Sequence, residues 1–184
     1  MRPFRGPVGS RRRGGERPGA GGFTLVELMV TLGVLAILVT MATPSFTSVI
    51  NSNRLSSQAN ELVADIQLAR SEALRRNRTV RLCRSDNGSA CATGTGSWTG
   101  WIVMLPNTTP VEVLRASTVK SPLQVSGGDT LDFRGDGLAR SSSGGLASTT
   151  FSVCIPTTKP AQNMRNVELA AGARVKAVAA THTT

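Results

Sequence analysis

Apolar and polar residues follow three regimes along this chain. From Phe23 to Ala42 the sequence FTLVELMVTLGVLAILVTMA is 20 residues long, carries one charge, Glu27, and is apolar all round. That is about the length an α-helix needs to cross a bilayer. Pro44 cannot donate its backbone hydrogen bond and predicts a kink, with helix again by Ser52. Beyond it Leu55, Ala59, Leu62, Ile66, Ala69 and Ala73 recur at intervals of 4, 3, 4, 3 and 4, lining one face of a helix to about Asn77. Arg54, Glu61, Asp65, Arg70, Glu72 and Arg75 lie off that stripe. Together the two parts would make a helix about 80 Å long. The third regime alternates β-rich runs with Gly, Asn and Ser clusters and predicts antiparallel strands at 79–84, 101–105, 111–116, 123–125, 130–134, 150–155, 166–170 and 174–178. Gly135-Asp136-Gly137 and 141–145 read as turns, and 85–100 as a long hairpin-like excursion. The fold class is α+β: a long N-terminal helix, membrane half plus amphipathic half, packed on small antiparallel β-sheets. The C-terminal segment either pairs as an edge strand or trails free.

Charge gives this pattern a direction. Arg2, Arg5, Arg11, Arg12, Arg13 and Arg17 face only Glu16 before residue 23, and no comparable basic cluster follows the apolar run. The positive-inside rule puts the N-terminus in the cytoplasm and residues beyond Thr43 outward, on the oxidising side of a bacterial inner membrane. An ordinary secretory signal peptide, with apolar residues 28–39 and a small-residue cut after Ala42, shares much of this pattern. Glu27 separates the two readings, because a carboxylate at bilayer depth is costly unless partnered and marks function by default. No Lys or Arg lies between residues 23 and 53 to pair with it. A cut between Gly22 and Phe23 would release an amine one helical turn from Glu27, and a neighbouring subunit's amine could serve as its partner.

The run Gly22-Phe23-Thr24-Leu25-Val26-Glu27-Leu28-Met29-Val30 resembles the prepilin processing motif of type IV pilins and type II secretion pseudopilins. The resemblance implies that prepilin peptidase cuts after Gly22, that Phe23 is N-methylated, and that Glu27 sets register between subunits. Removing 22 residues from 184 leaves 162. The leader is longer and more Arg-rich than those common among these proteins, a departure on which the cleavage assignment does not depend. Further on, Asn53-Arg54-Leu55-Ser56-Ser57-Gln58-Ala59-Asn60-Glu61-Leu62, Leu68-Ala69-Arg70-Ser71-Glu72-Ala73, Val80-Arg81-Leu82-Cys83 and Trp98-Thr99-Gly100-Trp101-Ile102-Val103 resemble the FimT/GspH family of minor pilins and pseudopilins. That resemblance implies a cytoplasmic leader over 1–22, a transmembrane half-helix over 23–42, an amphipathic half over 43–77 and a periplasmic β domain with a C-terminal arm over 78–184. It also implies a single-pass inner-membrane precursor that later enters a pilus or pseudopilus. The partners would be other major and minor pilins or pseudopilins, prepilin peptidase and the inner-membrane assembly platform.

Composition argues against chemistry of the chain's own. His182 is the only histidine and Cys83, Cys91 and Cys154 the only cysteines, which leaves no catalytic triad and no zinc-site spacing. Gly94-Thr95-Gly96-Ser97-Trp98-Thr99-Gly100 is no phosphate loop, since its third glycine is misplaced and no helical pattern follows. Asp129, Asp132 and Asp136 lack calcium-loop spacing and read as solvated turn acids. No enzymatic activity, metal or cofactor is expected. A Cys83–Cys91 bridge would staple the loop containing Asn87-Gly88; three reduced thiols, or a pairing that uses Cys154, remain open. Trp98 and Trp101 read as core or interface anchors.

DNA is the alternative partner. Downstream of Gly22 the chain keeps 15 Lys+Arg against 10 Asp+Glu. Arg70, Arg75, Arg76, Arg78, Arg81 and Arg84 gather near the helix-to-sheet junction, and Arg165, Arg174 and Lys176 lie toward the C-terminus. Such groups neutralise phosphates or form a solvated basic face, and with few aromatic residues any binding would be backbone-directed. Minor pilins of the FimT type that take up DNA share a C-terminal Gly-Arg-x-Arg element. This chain carries Ala173-Arg174-Val175-Lys176 there, so the resemblance implies a DNA-binding role for Arg174 and Lys176.

Overall fold

The computed structural model describes residues 22–94, 96–128 and 130–182, without the side chains of residues 41–45. The leader arginines, Thr95, Asp129 and the side chains that end the apolar run therefore lie outside the described residues.

Helix α1 spans Leu25–Arg76. The helix runs on through Pro44, since a proline deletes one donor from the ladder while the hydrogen bonds on either side persist. At its start the Thr24 hydroxyl accepts a hydrogen bond from the Glu27 amide at 3.2 Å, half of a Thr-x-x-Glu capping box. At its end Asn77 takes a left-handed φ of 49°, and Arg78 donates back to the Ala73 carbonyl at 3.3 Å, closing the last turn as αL caps do.

Among the described residues nine strands follow: β1 (Val80–Arg84), β2 (Gly100–Leu105), β3 (Glu112–Thr118), β4 (Gln124–Gly127), β5 (Leu131–Phe133), β6 (Ala139–Arg140), β7 (Thr149–Cys154), β8 (Met164–Ala170) and β9 (Arg174–Ala180). They form a five-stranded sheet ordered β3-β2-β1-β5-β6 and a four-stranded sheet ordered β4-β7-β8-β9, with every pairing antiparallel. The C-terminal segment pairs with β8 over seven residues as an edge strand. Strand β6 was not expected from the pattern: two residues carry no periodicity.

Leu55, Ala59, Leu62, Ile66, Ala69 and Ala73 are at most 1% exposed. They share one core with Trp101 and Phe133 of the larger sheet and with Phe151 and Val167 of the smaller. Ala59, Ala69 and Ala73 keep the helix face shallow, which leaves room for those large rings. Trp98 joins the sheets: its amide donates to the Val125 carbonyl at 2.8 Å, and its ring meets Phe151 edge-on at 5.4 Å and Trp101 at 6.4 Å.

Cys83 and Cys91 are disulfide-bonded, with Cα atoms 5.6 Å apart, while Cys154 is a free, buried thiol. The bridge packs with Ile102 and Met104 as a second apolar cluster, so all six residues of β2 are buried. The excursion thus covers the face of the larger sheet that α1 leaves open.

One expectation fails informatively. Asp65 was placed off the apolar stripe, yet it is 1% exposed. Its Oδ2 accepts from Trp101 Nε1 at 2.8 Å and Ser117 Oγ at 2.7 Å, and its Oδ1 lies 3.0 Å from Arg115 Nε. Trp101 and Ser117 are register partners, as are Val103 and Arg115, so the pleat aims all three donors at the helix. A buried carboxylate is tolerated because every bond it needs is supplied.

Asp65→Ala orphans the Trp101 and Ser117 donors and lowers unfolding free energy by about 3 kcal/mol, whereas Arg115→Ala costs less than about 1 kcal/mol because that guanidinium already reaches water. Denaturant titration of the detergent-solubilised protein checks both. In the same assay replacing Cys83 and Cys91 by serine costs about 2–3 kcal/mol.

Candidate functional site

Two regions of α1 carry candidate chemistry, and each is described by itself. In the first, Gly22 has open space around its α-carbon and Phe23 is 80% exposed. Glu27 is exposed in the first helical turn, where a carboxylate also complements the positive end of the helix dipole. Leu25, Leu28, Leu32, Leu35 and Leu38 are all more than half exposed, so this stretch presents apolar side chains around its whole circumference. Among the described residues no helix is long and apolar enough to cross a membrane. The apolar run is described with its side chains only as far as Thr40.

The second region is the junction of α1 with the sheets, where most of the basic residues fall. Here most of the cations already have partners. Arg70 donates to the Ala173 carbonyl at 3.3 Å, Arg78 to the Asn107 carbonyl at 3.2 Å and Arg84 to the Thr93 carbonyl at 2.8 Å. Arg75 and Arg76 both bind Glu72, at 2.6 and 2.8 Å, and Arg76 reaches Glu112 at 2.7 Å. Those bonds, from Arg75 first and Arg76 next, pull the Glu72 carboxyl down to about 2. Arg81 forms a two-pronged pair with Asp132, both contacts at 2.7 Å. Asp132 is thus a strand residue of β5 in an ion pair, not the solvated turn acid expected. Asp136 is the turn acid, accepting from the Leu138 amide at 2.9 Å, a bond that lowers its pKa.

The three C-terminal cations are dispersed in role. Arg165 folds back onto the carbonyls of Gln162 and Met164 at 3.0 and 2.9 Å and onto the Ser52 hydroxyl at 3.2 Å. Lys176 pairs with Glu168, its register neighbour, at 2.9 Å. Arg174 is exposed and has no hydrogen-bond or ion-pair partner among the described residues. The preceding Gly172 and Ala173 hold φ of 90° and 62°, so Ala173 occupies the left-handed conformation that a glycine there would adopt without strain. Arg54, on the helix, is likewise exposed and unpartnered.

Sequence reasoning missed the Thr24 cap and the Asp65 cradle. The cap was visible as Thr-x-x-Glu before an apolar run. The cradle had a weaker signal: Asp65 follows Leu62 by three and precedes Ile66 by one, at the stripe's flank.

A helix carrying two antiparallel sheets behind an exposed apolar segment defines a pilin-like α+β protein. Residues 58–173 match the family described as type II transport protein GspH, and residues 17–43 match the prokaryotic N-terminal methylation motif. The chain belongs to the GspH family and is a minor pilin or pseudopilin of a type IV pilus or type II secretion system, a structural and not an enzymatic subunit. Crystal structures of similar fold include the type IV minor pilin FimU of Pseudomonas aeruginosa, at 22% identity over 67% of this chain and 92% of that one with a TM-score of 0.50. A second crystal form gives 21%, 68%, 88% and 0.52. The minor pseudopilin EpsH of the Vibrio cholerae type 2 secretion system gives 12%, 68%, 97% and 0.51. No protein of curated function matches the chain.

The Glu72 carboxyl should titrate near 2 by carbon-detected NMR, and Arg75→Ala with Arg76→Ala should return it toward 4.5. Because its folded pKa is lowered, the stability it contributes is complete above about 4.5 and fades as pH falls toward 2.

Proposed function

We propose that the chain is cleaved after Gly22, N-methylated at Phe23, anchored in the inner membrane by residues 23–42 and extracted into a pilus or pseudopilus with its β domain on the periplasmic side. The observation that carries this reading is the apolar stretch of α1, exposed on every side, with Glu27 near its start. Such a surface is stable only in lipid or among other apolar helices. Further along α1, the exposed residues Ser57, Asn60, Ala64, Gln67 and Ser71 make an uncharged face away from the sheets, compatible with close helix packing in a filament. Glu27 fixes register by pairing with the amine of a neighbouring Phe23. The partners are therefore other pilins or pseudopilins, prepilin peptidase and the membrane assembly platform.

A second reading, DNA binding in uptake, has one observation in its favour: the exposed, unpartnered Arg174 on an edge strand. Lys176 can join it by giving up Glu168, and Arg165 by leaving its carbonyl acceptors. A lysine there contributes a point charge without the two-pronged fork of arginine.

Glu27→Ala should reach the membrane and be processed to a chain starting at Phe23, yet enter filaments at least about tenfold less than wild type, as loss of a desolvated charge pair implies. Sheared filaments assayed by immunoblot, with mass spectrometry of the N-terminus, test it; unchanged incorporation overturns the register role. For DNA, the full-length protein in detergent should bind duplex with an affinity that falls steeply with salt, and the Arg174→Ala/Lys176→Ala variant should lose most of that binding. Absence of binding at low salt removes the second reading and leaves the first intact.

A further inference from the structure

A groove of about 360 Å³ runs between the first turns of the amphipathic part of α1 and the turn that joins β3 to β4. Its walls are fixed by Gln58, which is 1% exposed. The Gln58 side chain accepts from the Lys120 amide at 3.1 Å and donates to the Thr118 carbonyl at 3.4 Å and to Glu61 at 3.1 Å. The turn is held further by Val119 donating to the Thr99 carbonyl and Leu123 to the Lys120 carbonyl, both at 2.9 Å. Leu123, only 7% exposed, contributes an apolar lining. The rest of the lining is rich in donors: Arg54, Lys120, and the hydroxyls of Ser57 and Ser121. The neighbouring acid, Glu61, is already engaged by Gln58 and lies 3.7 Å from Lys120, which leaves Arg54 uncompensated.

We infer that this groove receives an acidic side chain, carried beside an apolar one, from a neighbouring pilin or pseudopilin subunit; the inference rests on the filament reading above. Charge complementarity selects the acid. The Leu123 lining favours a polypeptide, in which a full aliphatic side chain can flank a single acid, over a phosphate backbone, whose small sugar carbons sit between successive charges. A second copy of this chain is disfavoured by 15 Lys+Arg against 10 Asp+Glu beyond Gly22. The groove opens along α1, the element through which the subunit enters the filament, and its braced walls mean that little ordering is needed on docking.

The test places a photo-crosslinking residue at Ser57 of the full-length protein, co-produced with its own pilins in their host, with the same group at exposed Thr150 as control. Expected is an adduct from Ser57, and not from Thr150, to one subunit that itself carries an N-methylation motif. That adduct should fall at least about fivefold in Arg54→Glu/Lys120→Glu, the loss of an exposed charge pair, and recover when the crosslinked partner's acid is changed to Lys. Both substituted side chains are exposed, and the melting temperature confirms that the variant is folded; Arg54→Glu alone serves if the double variant is not. Recovery in sheared filaments is scored separately. A subunit present in filaments but without a Ser57 adduct, or with one indifferent to charge reversal, overturns the groove inference alone. A subunit that never enters filaments overturns the filament reading and the groove with it.

Discussion

The half of α1 that carries the β domain must withdraw Leu55, Ala59, Leu62, Ile66, Ala69 and Ala73 from water along one face. Both sheets are arranged around that requirement. Both contribute to the core beneath the stripe, and they are tied together at Trp98, in the excursion between β1 and β2, whose amide bonds β4 and whose ring packs edge-on against Phe151. The small residues in the stripe bring helix and sheets close. The same closeness would strand any polar group at the flank, and Asp65 is acceptable there because β2 and β3 present a tryptophan N–H, a serine hydroxyl and an arginine in register with it. The cradle therefore sets which strands lie under the middle of the helix, a directional constraint that apolar contact alone does not provide.

Electrostatics divides the cations into those that hold the structure and those that face outward. The junction arginines tie the helix end, the sheet and the loops together through Glu72, Glu112, Asp132 and backbone carbonyls. A basic composition is therefore a poor guide to a basic binding face, because all six arginines from Arg70 to Arg84 are bonded within the domain. Among the described residues, the exposed cations without a side-chain hydrogen bond or ion pair are Arg54 beside the groove, Arg134 after β5, Lys159 between β7 and β8 and Arg174 at the sheet edge, all on different elements.

The readable parts of this chain are those with long periodicity or a fixed spacing. The apolar run, the 4-3 stripe and eight of the nine described strands could be placed to within a few residues; the run at 22–30 carried the prepilin motif, and the segments at 53–62, 68–73, 80–83 and 98–103 carried the family resemblance. A Cys83–Cys91 bridge was readable as one possibility, because the intervening loop carries the turn residues Asn87-Gly88. Features that depend on two distant segments meeting were not readable. Asp65 is an ordinary helix acid until Trp101, Arg115 and Ser117 arrive from two strands. The junction arginines look like a phosphate site until their acceptors, many of them carbonyls without any signature, are in place. Strand β6 is too short for a pattern.

Strand β2 lies between the helix face and the disulfide-pinned excursion, with every residue from Gly100 to Leu105 buried. Most strands in a one-sided sheet have alternate positions free to change; this one has none, and even Gly100 is hemmed in, since a side chain there would strike the Ser117 carbonyl at 2.5 Å. Substitution within β2 therefore disturbs packing at every position, whereas the exposed residues at its two ends, Asn87 to Ala90 in the excursion and Thr109 to Val111 before β3, leave the surface open to change in charge while the six residues between hold the domain together.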